Sequence, residues 1–169
     1  MENFTEKATE SQAAAFFSLI NNPLKLRFFL FKSLPAAYFS GLKVKEASPG
    51  SCTVSIPFKW FTKNPFRSTY FACLSMAAEL STGVLAMAHV HKRRPSVSML
   101  VTAIEGKFHK KAAGISFFTC NDGKGFKGAV QASIASGQPQ EIKAHSIGVN
   151  SAGERVAEFW ITWSFKVKS

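Results

Sequence analysis

The stretch from Ser68 to Val90 constrains the fold of this chain more than any other. Its sequence, STYFACLSMAAELSTGVLAMAHV, contains neither Pro nor Lys nor Arg. In a helix, apolar residues of this stretch would occupy most positions on every side. This pattern is typical of a helix that other elements surround. At about 1.5 Å per residue, such a helix would be roughly 34 Å long. We therefore predict one long, buried helix at the centre of the molecule.

The polar residues of this stretch lie on one narrow face of the predicted helix. These residues are Ser68, Ser75, Glu79 and Thr82, which follow one another at intervals of seven, four and three positions. A carboxylate in the middle of an apolar helix must be desolvated, paired or used in chemistry. Two other interpretations stay open: a transmembrane span, and a structural Glu79 that a neighbouring hydroxyl or amide satisfies. The mid-span Glu and the many small or polar residues argue against a span, so we expect no transmembrane segment.

Composition favours a single globular domain with an anionic ligand. The chain has 169 residues, of which 46% are hydrophobic, and a formal net charge of +11. This charge suits nucleic acid, an anionic membrane or a phosphorylated cofactor such as coenzyme A. No nucleic-acid motif is present, so we expect no nucleic-acid partner. Three widely spaced cysteines and a polar N-terminal segment without a signal sequence favour reduced thiols and a cytoplasmic location.

The remaining segments predict a helical prefix followed by strands. Residues 1–35 hold two amphipathic segments, and the second could lie on a membrane surface, although we expect it to pack on its own domain. Alternating residues predict a hairpin over 42–58, and a short helix is predicted at Ala129–Ala135. Val97–Phe108 is apolar on both faces, which indicates a central strand. Strands are further predicted at 113–120, 140–149 and 155–167.

This order of elements limits the architecture. An antiparallel sheet with one apolar face can bury a single long helix only by curling around it. That arrangement is the α+β hotdog fold, and we assign it to residues 36–169, after the prefix 1–35.

The residues around the start of the long helix resemble a known signature. The run NPFRSTYFA begins at Asn64, and Glu79 follows fifteen residues after this Asn. Hotdog thioesterases of the phenylacetic-acid type carry Asn, then His-Gly-Gly, then a helical acid at these offsets. Tyr70, Phe71 and Ala72 stand where that motif has His-Gly-Gly. Together with the helical prefix and the lead-in PAAYFSG, this departure is similar to the thioesterase-like DUF4442 group.

The resemblance implies an acyl-CoA thioesterase that needs no metal, and no cofactor beyond coenzyme A as part of the substrate. Glu79 would act as base or nucleophile, and Asn64 would orient water or the carbonyl. The expected substrate-binding residues are Tyr70, Phe71, Ala72, Ser75 and Thr82. The thioester could belong to coenzyme A or to a carrier protein. A non-catalytic module that binds an acyl group or acyl-CoA remains the alternative.

The distance between the expected catalytic groups predicts a second copy of the chain. Free amides at the start of the helix near Tyr70 would hold the developing oxyanion, but Glu79 lies about 13 Å further along the helix. Related folds solve this by sharing the site between two subunits. We therefore expect a homodimer, with a dimer of dimers left open.

Overall fold

The computed structural model describes residues 2–168, with side chains from Ser11 onward. The helices are α1 (Glu2–Ile20), α2 (Pro23–Ser33), α3 (Pro35–Ser40), α4 (Phe71–Val90) and α5 (Gly123–Ser136). The strands are β1 (Lys43–Ala47), β2 (Cys52–Ile56), β3 (Val97–Phe108), β4 (Ser116–Cys120), β5 (Gln140–Asn150) and β6 (Arg155–Val167).

The long helix α4 is present, but it starts at Phe71 and not at Ser68. The backbone amide of Thr69 donates to the carbonyl of Ala112, and that of Tyr70 donates to the carbonyl of Thr62. These bonds hold the preceding segment in an extended conformation and delay the helix. By length and composition α4 could cross a membrane, but about two thirds of it is buried inside the chain. Its apolar side chains therefore form the core of this domain.

The sheet curls around α4, as the hotdog prediction requires. Its strands are all antiparallel and follow the order β1-β2-β4-β5-β6-β3. Alternate residues of β6 face the helix and are buried, including Phe159, Ile161 and Phe165. The clean alternation in this strand is confirmed, because one face packs on α4 and the other faces outward.

The prediction that Val97–Phe108 is a central strand is wrong for the single chain. This segment, β3, pairs with β6 on one side and forms an edge of the sheet. Its apolar residues therefore remain accessible: Leu100 is 67% exposed, Ile104 51% and Phe108 54%. The other edge strand, β1, is short and carries Lys43 and Lys45, features that discourage pairing with another strand. Only β3 presents a long apolar edge.

The prefix helices α1 and α2 pack against the rest of the domain. Asn22 caps α2 by accepting hydrogen bonds from two backbone amides, and Pro23 occupies the first helical turn. Phe16 and Ile20 of α1 and Leu26 and Leu30 of α2 are buried in the common core. Leu26 and Leu30 of the second segment therefore pack on the domain, whereas Leu24 (81% exposed), Phe28 (69%) and Phe31 (55%) face outward. The expectation that this segment does not lie on a membrane surface stays a prediction.

Candidate functional site

Two cavities flank α4, one near its N-terminal end and one near its middle. The first, which we call the N-terminal cavity, measures about 580 Å³. The second, the prefix cavity, measures about 240 Å³ and lies under α1 and α2. Asn64, Tyr70 and Phe71 line the N-terminal cavity, whereas Glu79 lines the prefix cavity. A single chain therefore does not bring Asn64 and Glu79 into one cavity.

Asn64 organises the loop that leads into α4. Its Oδ1 accepts hydrogen bonds from the backbone amides of Phe66 (3.0 Å) and Ser68 (3.2 Å), and its Nδ2 lies 3.1 Å from the Ser68 hydroxyl. Within this turn Arg67 has a φ of 58°, in the left-handed region. The Asn64 side chain thus fixes a tight, strained turn directly before the helix.

The first turn of α4 supplies the amide donors that the sequence predicted. No side chain caps the helix, and Tyr70 is the residue at the cap position. Among residues 2–168, no acceptor is found for the backbone amides of Phe71 and Ala72. Such amides sit at the positive end of the helix dipole and favour an anionic oxygen. Phe71 lines the N-terminal cavity, so its amide, with that of Ala72 next to it in the helix, forms a candidate oxyanion site beside this cavity.

Aromatic rings stand where the resembling signature has histidine and its first glycine, at Tyr70 and Phe71. The ring of Tyr70 lies 4.9 Å from that of Phe71, which contacts Phe108 at 6.4 Å, and Phe108 contacts Phe159 at 5.6 Å. Tyr70, Phe71 and Phe108 are all more than two fifths exposed. This aromatic row connects the start of α4 with the end of β3 and narrows the approach to the free amides.

The Glu79 carboxylate is half-buried and has no partner. No hydrogen bond or ion pair reaches it from the part of the chain that the structure describes. Gly83 makes room for it, because a Cβ at that position would lie 3.2 Å from Glu79 Oε1 and 3.5 Å from the Trp163 ring. Burial raises the pKa of Glu79 above its usual range. The interpretation of Glu79 as a structural residue requires a hydrogen bond from a neighbouring hydroxyl or amide, and none is found among the described residues.

The hydroxyls of Ser75 and Thr82, on the same stripe as Glu79, donate hydrogen bonds to backbone carbonyls. Ser75 donates a hydrogen bond of 2.9 Å to the carbonyl of Ala72, and Thr82 donates one of 2.9 Å to the carbonyl of Glu79. Thr82 also accepts a 2.9 Å hydrogen bond from Trp163 Nε1 and is fully buried. Ala72, Ser75 and Thr82 line neither of these two cavities.

A buried carboxylate on β6 forms a cluster that the sequence did not predict. Glu158 Oε1 lies 2.9 Å from His109 Nε2, its Oε2 lies 3.0 Å from His145 Nε2, and Arg155 approaches within 3.5 Å. Burial alone would raise the pKa of Glu158, but the two histidine hydrogen bonds and the Arg155 charge lower it overall. Since an ionised carboxylate only accepts, we assign the proton of each imidazole to Nε2.

This cluster extends to the N-terminal cavity through His109. His109 lines that cavity beside Lys110 and Lys111, so an oriented imidazole and two cationic side chains border it. Lys110 is paired with Glu154 at 2.6 Å. The sequence signal that pointed to this cluster was the basic turn at the end of β3. The register of β3, β5 and β6 was needed to place Glu158 beneath that turn.

Comparisons with known proteins agree with this architecture. The profile of the domain of unknown function DUF4442 matches residues 26–165. A Pseudomonas aeruginosa protein of unknown function, named a probable thioesterase, has a similar structure, with 21% identity, a TM-score of 0.74 and coverage of 86% of this chain and 97% of that one. A Haemophilus influenzae thioesterase is similar at 11% identity and a TM-score of 0.62, over 86% of this chain and 91% of that one.

A protein of unknown function from Chlorobaculum tepidum is similar at 14% identity and a TM-score of 0.71, over 85% of this chain and 93% of that one. At these identities the structural likeness establishes the shared fold. No functionally curated protein matches the sequence. Because the family profile covers most of the chain, from α2 to the end of β6, the chain belongs to the DUF4442 family and has its hotdog-type, thioesterase-like fold.

Proposed function

We propose that this protein hydrolyses acyl-CoA thioesters at a site shared by two copies of the chain. The observation that carries the proposal is the pair of chemical groups left without partners: the Glu79 carboxylate and the amides of Phe71 and Ala72. A base and an oxyanion site are the two elements that thioester hydrolysis requires. The fold that this chain shares with proteins named thioesterases supports the same class of reaction.

The edge strand β3 supports a homodimer. Its long apolar edge matches an identical edge on a second copy, and antiparallel pairing around a two-fold axis is self-complementary. In that arrangement β3 would become a central strand, as its pattern of apolar residues on both faces predicts.

The two-fold axis also brings the separated groups together. Phe108, at the end of β3, belongs to the N-terminal cavity, and Met99, near its start, belongs to the prefix cavity. When β3 pairs with a second β3 near its middle, the end of one strand lies beside the start of the other. The oxyanion site of one subunit then lies near Glu79 of the partner subunit. Each dimer has two such sites.

The chemistry follows from these positions. Ionised Glu79 accepts a proton from a water molecule, whose oxygen forms a bond to the thioester carbonyl carbon. The carbonyl oxygen gains negative charge, which the amides of Phe71 and Ala72 stabilise. The tetrahedral intermediate then expels the coenzyme A thiolate, which takes the proton that Glu79 accepted from the water, so the free thiol and a carboxylic acid remain and Glu79 is ionised again. Asn64 keeps the loop before α4 in place, and Lys111 offers a cation to the phosphates of coenzyme A.

The aromatic row favours a second candidate function. Phe71 stands where the thioesterase signature has glycine, and its ring narrows the approach to the amides. A hotdog module that binds acyl-CoA without hydrolysing it fits this feature. Saturable binding of acyl-CoA without release of free thiol would select this alternative.

A subunit-mixing experiment tests the shared site. Glu79→Gln removes the base, and Phe71→Pro removes one amide, so each variant alone should lack acyl-CoA hydrolysis. After subunit exchange, half of the dimers contain one of each variant and one intact site, so about a quarter of wild-type activity should return. Mixing either variant with Phe71→Pro/Glu79→Gln is the control and should restore no activity, because no dimer then contains an intact site. Two inactive variants that never complement each other, although they exchange subunits, would contradict the shared site.

A further inference from the structure

The prefix cavity combines an apolar wall with a single unpartnered carboxylate. Apart from Glu79 and Ser33, every residue that lines it is apolar or glycine. Its walls come from five elements of the fold: Phe16 of α1, Phe29 of α2, Met87 of α4, Met99 of β3 and Trp163 of β6. Burial of apolar surface against such walls is favourable, so the cavity is suited to an apolar ligand.

The position of Glu79 in this wall indicates where the ligand's polar group lies. The carboxylate has no hydrogen-bond partner among residues 2–168, and burial raises its pKa. A purely apolar ligand would leave it unpaired, whereas an apolar chain that ends in a carbonyl and a bound water would satisfy it. The cavity thus fits an acyl chain with its carbonyl end beside Glu79.

We propose that the prefix cavity binds the acyl chain of the substrate, and that α1 and α2 set its maximum length. This inference rests on the proposed thioesterase function. A cavity of about 240 Å³ corresponds to roughly eight groups of water-molecule size, at about 30 Å³ each, which suits a medium-length acyl chain better than a long one. Part of the limit is contributed by α1, which lies ahead of the segment that the family profile matches.

The thioester then spans two subunits. Coenzyme A lies against the N-terminal cavity of one subunit, the carbonyl lies between its helix amides and Glu79 of the partner subunit, and the acyl chain extends under the partner's prefix.

The first test enlarges the cavity. Phe29→Ala removes a half-buried ring from its wall, and Phe28→Ala removes the neighbouring ring, which is exposed and lies outside the cavity. For wild type, kcat/KM should rise about fourfold with each methylene that the cavity buries and be highest for a medium-length chain. Phe29→Ala should move this optimum to longer chains, and Phe28→Ala should leave it unchanged.

The second test fills the cavity. Ser33 lines the cavity from an exposed position on α2, so Ser33→Phe adds bulk without overpacking the core. Lys32→Phe is the matched control on the adjacent exposed residue. Ser33→Phe should lower kcat/KM for octanoyl-CoA at least tenfold while leaving acetyl-CoA hydrolysis within about twofold, and the control should change neither.

Binding measurements separate this inference from the proposed function. S-octyl-CoA and S-ethyl-CoA carry thioethers that cannot be hydrolysed, and calorimetry gives their dissociation constants for wild type and each variant. Weaker binding of S-octyl-CoA alone in Ser33→Phe supports the cavity even if the protein hydrolyses no thioester. Hydrolysis with identical chain-length profiles and identical S-octyl-CoA binding in all variants would place the acyl chain elsewhere and overturn the inference.

Discussion

Trp163 on β6 donates a hydrogen bond of 2.9 Å from its indole Nε1 to the hydroxyl of Thr82, one turn after Glu79 on α4. The Thr82 hydroxyl in turn donates a hydrogen bond to the backbone carbonyl of Glu79. Both residues are buried, so the pair connects the sheet to the part of the helix that carries the carboxylate. The sequence assigned Thr82 to the substrate, but its hydroxyl is used in these two hydrogen bonds.

Thr82→Val should destabilise the protein because it leaves the indole N–H buried without an acceptor. We expect the free energy of unfolding to fall by about 1–3 kcal/mol, measured by urea denaturation. Thr82→Ser keeps the hydroxyl and is the matched control. An unchanged midpoint for Thr82→Val would show that another acceptor replaces Thr82.

Glu79→Gln should abolish hydrolysis and keep the fold. Loss of a general base commonly reduces the rate about 10²–10⁴-fold, and the free-thiol assay measures it. Because the native pKa of Glu79 is raised, native protein retains a proton that the unfolded chain has already released, so wild type loses stability as pH rises through this range. The stability of the Gln variant relative to that of wild type should therefore be higher at pH 7 than at pH 4. Glu46→Gln, at an exposed position of β1, should change neither quantity.

Phe71→Pro should remove an oxyanion donor without breaking the helix. Pro is tolerated at the first helical position, and Tyr70 before it has an extended conformation (φ −61°, ψ 135°) that accepts a following Pro. Phe71→Ala also removes the ring but keeps the amide. We expect kcat to fall about 10²–10³-fold for Pro relative to Ala. Equal rates for the two variants would exclude this amide from the reaction.

Asn64→Ala should loosen the loop before α4 more than it affects the chemical step. The variant removes the acceptor for the amides of Phe66 and Ser68, and each lost bond costs about 1 kcal/mol. Asn64→Asp keeps an acceptor at the same place and should retain the stability. We expect a larger loss of kcat for Glu79→Gln than for Asn64→Ala. A loss in Asn64→Ala equal to that of the Glu79 variant would give Asn64 a direct part in catalysis.

His89 should make the protein sensitive to acid. Burial, together with the charges of Arg93 and Lys127, lowers its pKa from 6.5 to about 4. As pH falls from 6.5 towards 4, the unfolded chain binds a proton that the native protein does not, so stability is lost. The shift corresponds to on the order of 3 kcal/mol. In His89→Gln this part of the pH dependence of unfolding should disappear, whereas His91→Gln should retain it.

Periodicity and turn residues were sufficient to predict the hotdog fold, the buried helix and the strands β5 and β6. The helix α5 was predicted too short, because Gly123 and Gly125 argue against helix by propensity. Tertiary packing requires them: a Cβ on Gly123 would lie 2.0 Å from the carbonyl oxygen of Pro49, and one on Gly125 would lie 2.5 Å from Ile142. Such close approaches between elements distant in sequence leave no periodic signal.

The roles of the site residues stay a prediction. The resemblance selected Asn64 and Glu79 by their offsets in the sequence, and the structure places them in different cavities. The Glu158 cluster was missed because its two histidines reach Glu158 from β5 and from the turn after β3, so strand register alone brings them together. The Val97–Phe108 pattern indicated a central strand, but the structure of the single chain places it at an edge of the sheet. In the proposed homodimer, the second copy would supply its missing neighbour.

The unequal edges of the sheet also limit how large an assembly can grow. The β3 edge is long and apolar, whereas the β1 edge is short and carries two lysines. In the proposed homodimer, β3 of each copy would be paired and only β1 would remain at the two ends of the joined sheet. Strand-to-strand growth would then stop at two chains, and the apolar edge that could nucleate fibres would be covered.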